Sequence, residues 1–180
     1  MRRSALLAGL LLASCASPPA ARSRSAHPTI VSLNPCTDAI LAEVTAPGQL
    51  LAISRYSHDP RASSMPLAEA RRYRTTGGTV EEVLALKPAV VVTGSFLDPA
   101  TVQAFSRLGV RVETVAIAAT VAESEAQVRR LAALAGEPAR GAALVARIAR
   151  AVAVARRPGP RVTALVWQEG GRAYVPDTLV

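Results

Sequence analysis

The sequence predicts an α/β fold in which a parallel sheet is flanked by helices. Short runs of β-branched residues alternate with longer stretches of helical periodicity. Several of these helical stretches begin with a side chain that can cap a helix, and residues 89–93 are almost continuous valine. Such a valine run is typical of a strand that is buried on both faces of a parallel sheet. Hydrophobic residues make up 50% of the 180 residues, which is enough for a packed core.

The first predicted elements are a strand over residues 29–33 and the helix that follows it. Asn34 can cap this helix, and Pro35 fits its first turn, where a missing N–H costs no hydrogen bond. A second strand is predicted over residues 50–54. The next stretch, residues 56–74, is polar, contains proline and shows no period, so we predict a loop there.

The next helix is expected to begin at Thr79. Thr79 and Glu82 have the spacing of a capping box, in which the Glu82 side chain reaches back to the backbone N–H of Thr79. This helix should end at Lys87 and Pro88, because proline is disfavoured inside a helix. The valine strand of residues 89–93 follows directly.

A further helix and strand complete the predicted sheet. Asp98 followed by Pro99 repeats the combination of cap and proline and begins a helix that ends near Gly109. Residues 110–117 form the next strand. Strands and helices that alternate at this spacing form βαβ units, so the sequence predicts a Rossmann-like lobe over residues 29–119.

Residues 120–157 have a different pattern, which is helical throughout. Thr120 and Glu123 form another candidate capping box, and Gly136 to Pro138 divides the stretch into two helices. The second helix is longer than a crossover between adjacent strands requires. We therefore interpret residues 120–157 as a rigid linker to a second α/β lobe, which begins with a strand at about residue 161 and is incomplete at residue 180.

The N-terminus has the pattern of an export signal. Two arginines precede an apolar run over residues 5–13, which is far shorter than the ~20 residues of a membrane-spanning helix. The segment ending in Ser14 and Cys15 looks like the lipobox of bacterial lipoproteins, in which the cysteine carries the lipid. Ordinary cleavage after Ala16 is the alternative. We predict a signal peptide over residues 1–14 and a flexible tether over residues 15–28, and hence a periplasmic or cell-envelope protein anchored to the membrane.

Composition excludes several classes of function. The formal net charge is +8, but the arginines are scattered and only six aromatic residues are present, so nucleic-acid binding is not predicted. Two cysteines and two histidines are too few for a disulfide scaffold or a His-rich metal site, and no resident metal or cofactor is expected. Once Cys15 is lipidated, Cys36 has no cysteine partner. We predict that Cys36 packs in the interior, a reactive thiol at the helix start being the alternative.

Three segments together resemble a known family. They are residues 30–35 (Ile-Val-Ser-Leu-Asn-Pro) before a helix, Tyr56-Ser57 before a proline, and residues 78–88 (Gly-Thr-Val-Glu-Glu-Val-Leu-Ala-Leu-Lys-Pro) before the valine strand. Their order and spacing are similar to those of the periplasmic substrate-binding proteins of ABC importers for ferric siderophores, haem and cobalamin. Members of that family have two α/β lobes joined by one long helix, and the ligand lies between the lobes.

The chain departs from the family pattern in two places. Ala89 stands where family members usually have aspartate after the Lys-Pro pair. The second lobe stops after its first strand or two, as expected of a fragment, a truncated reading frame or a trimmed chain. Half of the ligand cleft would then be absent.

The resemblance implies a set of ligand-binding residues. Tyr56 matches a position whose ring faces the ligand, although a tyrosine packed on the lobe surface is the alternative. Trp167 and Tyr174 lie where the second lobe places cleft aromatics, or fill its core. His58, with Asp59 beside it, is a candidate contact to an iron chelate. Arg71, Arg72 and Arg74 either attract an anionic siderophore or form a solvated face.

The resemblance also implies a partner. Glu81 matches the first-lobe glutamate that pairs with arginines of the membrane permease, although an acidic residue in a first helical turn also favours the helix dipole. The predicted function is therefore capture of an iron siderophore, haem or cobalamin by a monomer that delivers it to an ABC permease. A remnant that binds nothing is the alternative. An enzyme is not predicted, because the sequence has no phosphate loop, nucleophile elbow or His-Glu-x-x-His motif.

Overall fold

The computed structural model describes residues 27–155, 166–168 and 172–174. Five strands form one sheet in the order β3-β2-β1-β4-β5, and every paired neighbour runs parallel. The predicted α/β fold with a parallel sheet is confirmed. The strands are β1 (Ile30–Ser32), β2 (Leu50–Ser54), β3 (Thr75–Thr76), β4 (Val90–Gly94) and β5 (Arg111–Val115).

Helices cover both faces of this sheet. Successive side chains of a strand point to opposite faces, so Ile30 packs into one cluster and Val31 into the other. The first cluster joins the sheet to the helices that begin at Pro35 and Val121, and the second joins it to the helices that begin at Val80 and Pro99. The helices are α1 (Pro35–Val44), α2 (Leu67–Ala70), α3 (Val80–Ala85), α4 (Pro99–Arg107), α5 (Val121–Leu134) and α6 (Pro138–Ala155).

The helix starts agree with the capping residues that the sequence indicates. The Asn34 side chain accepts a hydrogen bond of 2.9 Å from the N–H of Cys36 at the start of α1. At the start of α5, the Thr120 hydroxyl accepts from the N–H of Glu123, and the Glu123 carboxylate accepts from the N–H of Thr120 at 3.2 Å. This reciprocal pair is the predicted capping box.

The capping box predicted at Thr79 is only half correct. The Thr79 hydroxyl does accept from the N–H of Glu82, at 3.3 Å. The Glu82 carboxylate, however, accepts from the Thr76 hydroxyl at 2.9 Å and from the N–H of Gly77 at 2.6 Å. The turn at Gly78, which has a φ of 85°, brings both donors to the carboxylate, and together they replace the single N–H of Thr79. These bonds lower the pKa of Glu82, that of Thr76 most.

The stretch predicted as a loop, residues 56–74, contains regular structure. A 3-10 turn, Arg55–His58, follows β2, and it is called the Tyr56 turn below. The helix α2 lies in the same stretch, which ends directly before β3. The prediction was wrong because these two elements have four residues each, which is too short to show a hydrophobic period.

The prediction that Cys36 packs in the interior is also wrong. Cys36 is exposed, and its Sγ lies 3.7 Å from the Ser64 hydroxyl. The buried side of α1 is formed by Thr37, Asp38, Leu41 and Val44, and Cys36 precedes that stripe. A thiol in the first turn therefore remains at the surface.

The predicted linker region consists of two helices. α5 buries Val128, Leu131 and Ala132, and the last two belong to the same cluster as the core of the sheet. α6 packs on α5 and α1 through its first half, where Gly141 and Val145 are buried. The boundary at residues 119 and 120 stays a prediction. Among the helices of the described residues, none has both the length and the apolar character needed to cross a bilayer.

Two further strands lie in the region of the predicted second lobe. β6 (Val166–Gln168) and β7 (Arg172–Tyr174) pair antiparallel, with Trp167 opposite Ala173. Trp167 and Tyr174 lie on these strands, but their side chains are outside the described part of the structure. The signal peptide of residues 1–14, nearly all of the tether of residues 15–28, and Cys15 are outside the described residues.

Candidate functional site

The candidate site is the edge of the sheet at which all five strands end. In open parallel sheets, ligands bind outside the carboxyl ends of the strands. Three large apolar or aromatic side chains follow strands at this edge and stay exposed: Tyr56 after β2 (52% exposed), Phe96 after β4 (81%) and Ile117 after β5 (66%). Exposed side chains of this size form a surface that an apolar ligand can cover. Phe96 and Ile117 were not predicted as site residues. Phe96 follows a predicted strand, and Ile117 was predicted as the last residue of a strand that in fact ends at Val115.

The Tyr56 turn holds its tyrosine beside a positive charge. The N–H of Tyr56 donates to the Ser54 hydroxyl at 3.2 Å, which caps the turn. The guanidinium carbon of Arg55 lies 5.2 Å from the centroid of the Tyr56 ring, and its Nη2 lies 3.5 Å from the phenol oxygen. A cation over the face of an aromatic ring is attracted to it. The pair therefore presents a flat apolar ring together with a cationic rim.

A groove with two arginines adjoins this turn on the β3 side of the sheet. Its volume is about 580 Å³, and Arg55 and Arg74 both line it. Glu82 also lines the groove, but its carboxylate is occupied by Thr76 and Gly77. Two guanidinium groups and one engaged carboxylate leave the groove with a net positive charge, which suits an acidic ligand group.

The arginines of residues 71–74 do not act as one cluster. Arg72 pairs with Glu69 at 2.9 Å. It lines another groove, of about 330 Å³, beside Gly48 and Leu50 at the opposite, amino edge of the sheet. Only Arg74 lies in the groove next to the Tyr56 turn.

His58 and Asp59 have structural partners. The Nε2 of His58 lies 3.0 Å from the carbonyl oxygen of Ala70, so this nitrogen carries the proton and ties the Tyr56 turn to α2. Asp59 accepts from the N–H of Arg61 at 2.9 Å, and this bond lowers the pKa of Asp59. Contact between His58 and a ligand stays a prediction. In the described residues no three His, Cys, Asp or Glu side chains are grouped as a metal site.

Glu81 and Glu82 are neighbours in the first turn of α3, but their carboxylates differ in whether they have hydrogen-bond partners. Glu82 is held by the turn before the helix, as described above. Glu81 is exposed and makes no hydrogen bond or ion pair within the described part of the chain. Glu81 is therefore the glutamate of this turn whose carboxylate is not engaged within the described residues.

The sequence of residues 30–178 matches the family model described as periplasmic binding protein. The chain belongs to the periplasmic binding protein family. The match spans both the lobe described above and the segment that carries β6 and β7. No curated protein is significantly similar to this family member in sequence.

Solved structures of periplasmic binding proteins share its fold. The haem-binding protein HutB of Vibrio cholerae has a TM-score of 0.62 and 19% identity, over 83% of this chain and 58% of HutB. The haem-binding protein RhuT of Roseiflexus sp. RS-1 has a TM-score of 0.59 and 19% identity, over 82% of this chain and 58% of RhuT. The vitamin B12-binding protein BtuF of Vibrio cholerae has a TM-score of 0.56 and 19% identity, over 70% and 48%. This family member therefore spans about half the length of the structures that it matches.

Proposed function

We propose that this protein is the extracytoplasmic solute-binding component of an ABC importer and that it captures a flat metal chelate of the haem, ferric siderophore or cobalamin type. The family match supports a binding role. The observation that carries the ligand class is the pairing of an exposed aromatic surface, Tyr56 and Phe96, with the arginine-lined groove beside it. Haem-binding and vitamin B12-binding proteins among the structural neighbours support the same class.

The chemistry of this edge suits capture without reaction. An aromatic ring provides apolar contact to the face of a large planar ligand at a low cost in side-chain entropy. Arg55 and Arg74 provide bidentate donors for carboxylate groups on the ligand rim. Trp167 and Tyr174 of the second-lobe segment are proposed to contact the opposite side of the ligand.

The test is titration of the full chain, without its signal, with haem, cobalamin and ferric siderophores. Saturable binding of one class, with a matching rise in the unfolding temperature, is expected. Ligand at ~100 times its dissociation constant adds ~2.7 kcal/mol to stability. Y56A should weaken binding about tenfold, which corresponds to ~1.4 kcal/mol. The matched control is Y73F, because Tyr73 lines the groove at the amino edge. Absence of binding to all three classes would favour the non-binding remnant.

Delivery to a permease is proposed to use Glu81. Its carboxylate is exposed and has no partner within the described residues, so it is available to an arginine of the permease. E81A should reduce uptake of labelled ligand by cells while the dissociation constant stays unchanged. The matched control is E43A, since Glu43 is an exposed glutamate that already pairs with Arg147 at 2.9 Å. Equal uptake by both variants would exclude Glu81 from docking.

Membrane anchoring in the periplasm is proposed to use a lipid on Cys15. The test is metabolic labelling with a radioactive fatty acid, followed by fractionation of the cells. Label should enter the wild-type protein and be absent from C15S, which should leave the membrane fraction. An unlabelled wild-type protein that begins after Ala16 would show ordinary cleavage.

A further inference from the structure

A carboxyl group is buried between α1 and the Tyr56 turn. Asp38 lies in the first turn of α1 and is 0% exposed. One of its oxygens, Oδ2, accepts from the backbone N–H of Ser54 at 3.0 Å and from the hydroxyl of Ser57 at 2.7 Å. Ser54 caps the Tyr56 turn and Ser57 belongs to it. Asp38 therefore ties both ends of the segment that carries Tyr56.

The second oxygen of this carboxyl has no donor. Oδ1 of Asp38 is buried and makes no hydrogen bond within the described residues. The Ser32 hydroxyl lies beside the carboxyl, and its oxygen is 2.8 Å from the hydroxyl oxygen of Thr37. Either hydroxyl of the Ser32–Thr37 pair can be the donor, and the Thr37 oxygen also lies 3.0 Å from the carbonyl oxygen of Asn34. The Ser32 hydroxyl therefore does not fix the charge state of Asp38, whereas the missing donor at Oδ1 bears on it directly.

This hydrogen-bond accounting favours a proton on Asp38. An ionised carboxylate would leave a buried oxygen with no donor, which is costly. Protonation places a hydrogen on the carboxyl group and removes the charge that would otherwise be buried with one oxygen lacking a donor. Burial acts in the same direction, because loss of hydration raises the pKa of Asp38 to about 7 against the opposing effect of hydrogen bonds from Ser32, Ser57 and Ser54.

No charged side chain on the surrounding elements is directed at this carboxyl. β1, β2 and β4 carry none. On the Tyr56 turn, Arg55 contacts the Tyr56 phenol and His58 contacts the carbonyl of Ala70. Most charged groups of α5, α6 and the rest of α1 contact one another or other partners: Glu43 with Arg147, Arg129 with Glu125, Arg130 with Glu113, Arg140 with Glu137, and Glu123 with Thr120. Arg150 of α6 is exposed at the surface.

We propose that Asp38 is a positioning residue that holds the Tyr56 turn against α1 in its protonated form, and that its ionisation releases this turn. The inference rests on the proposed function only in so far as Tyr56 contacts the ligand. An ionised Asp38 gains hydration only if one neighbour moves away. β1 is fully buried in the sheet, whereas the Tyr56 turn is short and exposes Arg55, Tyr56 and His58. The turn is thus the neighbour that yields.

The first experiment needs no ligand. The sequence contains four aspartates and three tyrosines, so carbon-13 labelling of these two residue types gives few NMR signals. D38N and Y56F assign the Asp38 carboxyl and the Tyr56 ring. Both signals should move with one common midpoint near neutral pH, and the Tyr73 ring should not move. In D38N, which resembles the protonated acid, the Tyr56 signal should keep its low-pH position throughout.

Two further variants test whether Asp38, acting through Ser57, causes the movement of the Tyr56 signal. H58Q is measured in parallel because His58 belongs to the same turn, and the Tyr56 movement should persist in it. S57A removes the donor in the turn, and Tyr56 should then no longer follow the titration of Asp38. Titration of Asp38 near its ordinary value, or a Tyr56 signal that stays fixed while Asp38 titrates, would overturn the proposal.

The second experiment uses the ligand class identified above. For haem or cobalamin, the wild-type dissociation constant should rise severalfold between about pH 6 and pH 8, and D38N should show a flat profile. A flat wild-type profile together with coupled NMR titrations would mean that Tyr56 is not a ligand contact. That outcome would overturn the assignment of Tyr56 as a ligand contact, whereas the control of the Tyr56 turn by Asp38 would still hold.

Discussion

Replacement of Asp38 by asparagine should stabilise the protein at neutral pH and have little effect in acid. The pKa of the buried carboxyl is raised from 3.8 to about 7, mainly by loss of hydration. As pH rises above ~3.9, the unfolded chain loses this proton while the native state keeps it. The free energy of unfolding therefore falls across this window and levels off once the native carboxyl ionises. About three pKa units correspond to about 4 kcal/mol, a large part of the ~5–15 kcal/mol of a typical domain.

The assay is urea unfolding of the full wild-type chain and of D38N at several pH values from about 5 to 8. The asparagine keeps an acceptor for Ser54 and Ser57, and it offers a donor at the position of the unpaired oxygen. The difference between the two proteins should grow by up to ~1.4 kcal/mol per pH unit in favour of D38N. Effects of other titrating groups cancel in this difference.

A difference that stays constant with pH would refute the reasoning. It would show that Asp38 is ionised in the native state and that its two donors outweigh the cost of burial. D38A provides a further comparison, because it loses the bonds to Ser54 and Ser57 at every pH. It should be less stable than D38N throughout the range.

Three further changes should alter the free energy of unfolding, measured in the same assay. F105A leaves a cavity in the core between the sheet and α4 and should cost about 3–5 kcal/mol. F96A, at an exposed site, should cost less than ~0.5 kcal/mol. Equal effects of the two substitutions would contradict the assigned burial. G141A places a methyl group against the side chain of Ala132, where α6 approaches α5, and should cost about 1–3 kcal/mol; an unchanged stability would show that the helices can separate. T120A removes the cap of α5 and should cost about 0.5–2 kcal/mol, with T120S retaining most of the stability; a loss in T120S as large as in T120A would contradict capping by the hydroxyl.

Local patterns were sufficient to predict most of the fold. The valine run predicted a buried strand, and β4 is buried over Val90 to Thr93. The caps at Asn34, Asp98 and Thr120 predicted where three helices begin, since a side-chain oxygen bonds a backbone N–H only two or three residues away. Such signals lie within one or two turns of chain and need no knowledge of distant residues.

The site could be predicted only in part. Tyr56 was predicted by resemblance, and its exposure agrees with a role at the surface. Phe96 and Ile117 were missed, because an apolar residue at or just after the end of a strand is indistinguishable in sequence from one that packs inside. The arginines of residues 71–74 are exposed, as the predicted solvated face requires, but Arg72 and Arg74 line different grooves. Their attraction of an anionic ligand stays a prediction.

The sequence by itself determined the α/β class, the helix starts and the family resemblance, because these depend on residue type and local spacing. Only the tertiary structure decided which polar groups are buried next to one another. Asp38 reads in sequence as an ordinary polar residue in a first helical turn, yet packing surrounds it and directs two donors from the β2 end toward one of its oxygens. Hydration is lost through contacts between segments 16 and 19 residues apart, so the charge state of such a group depends on the folded chain.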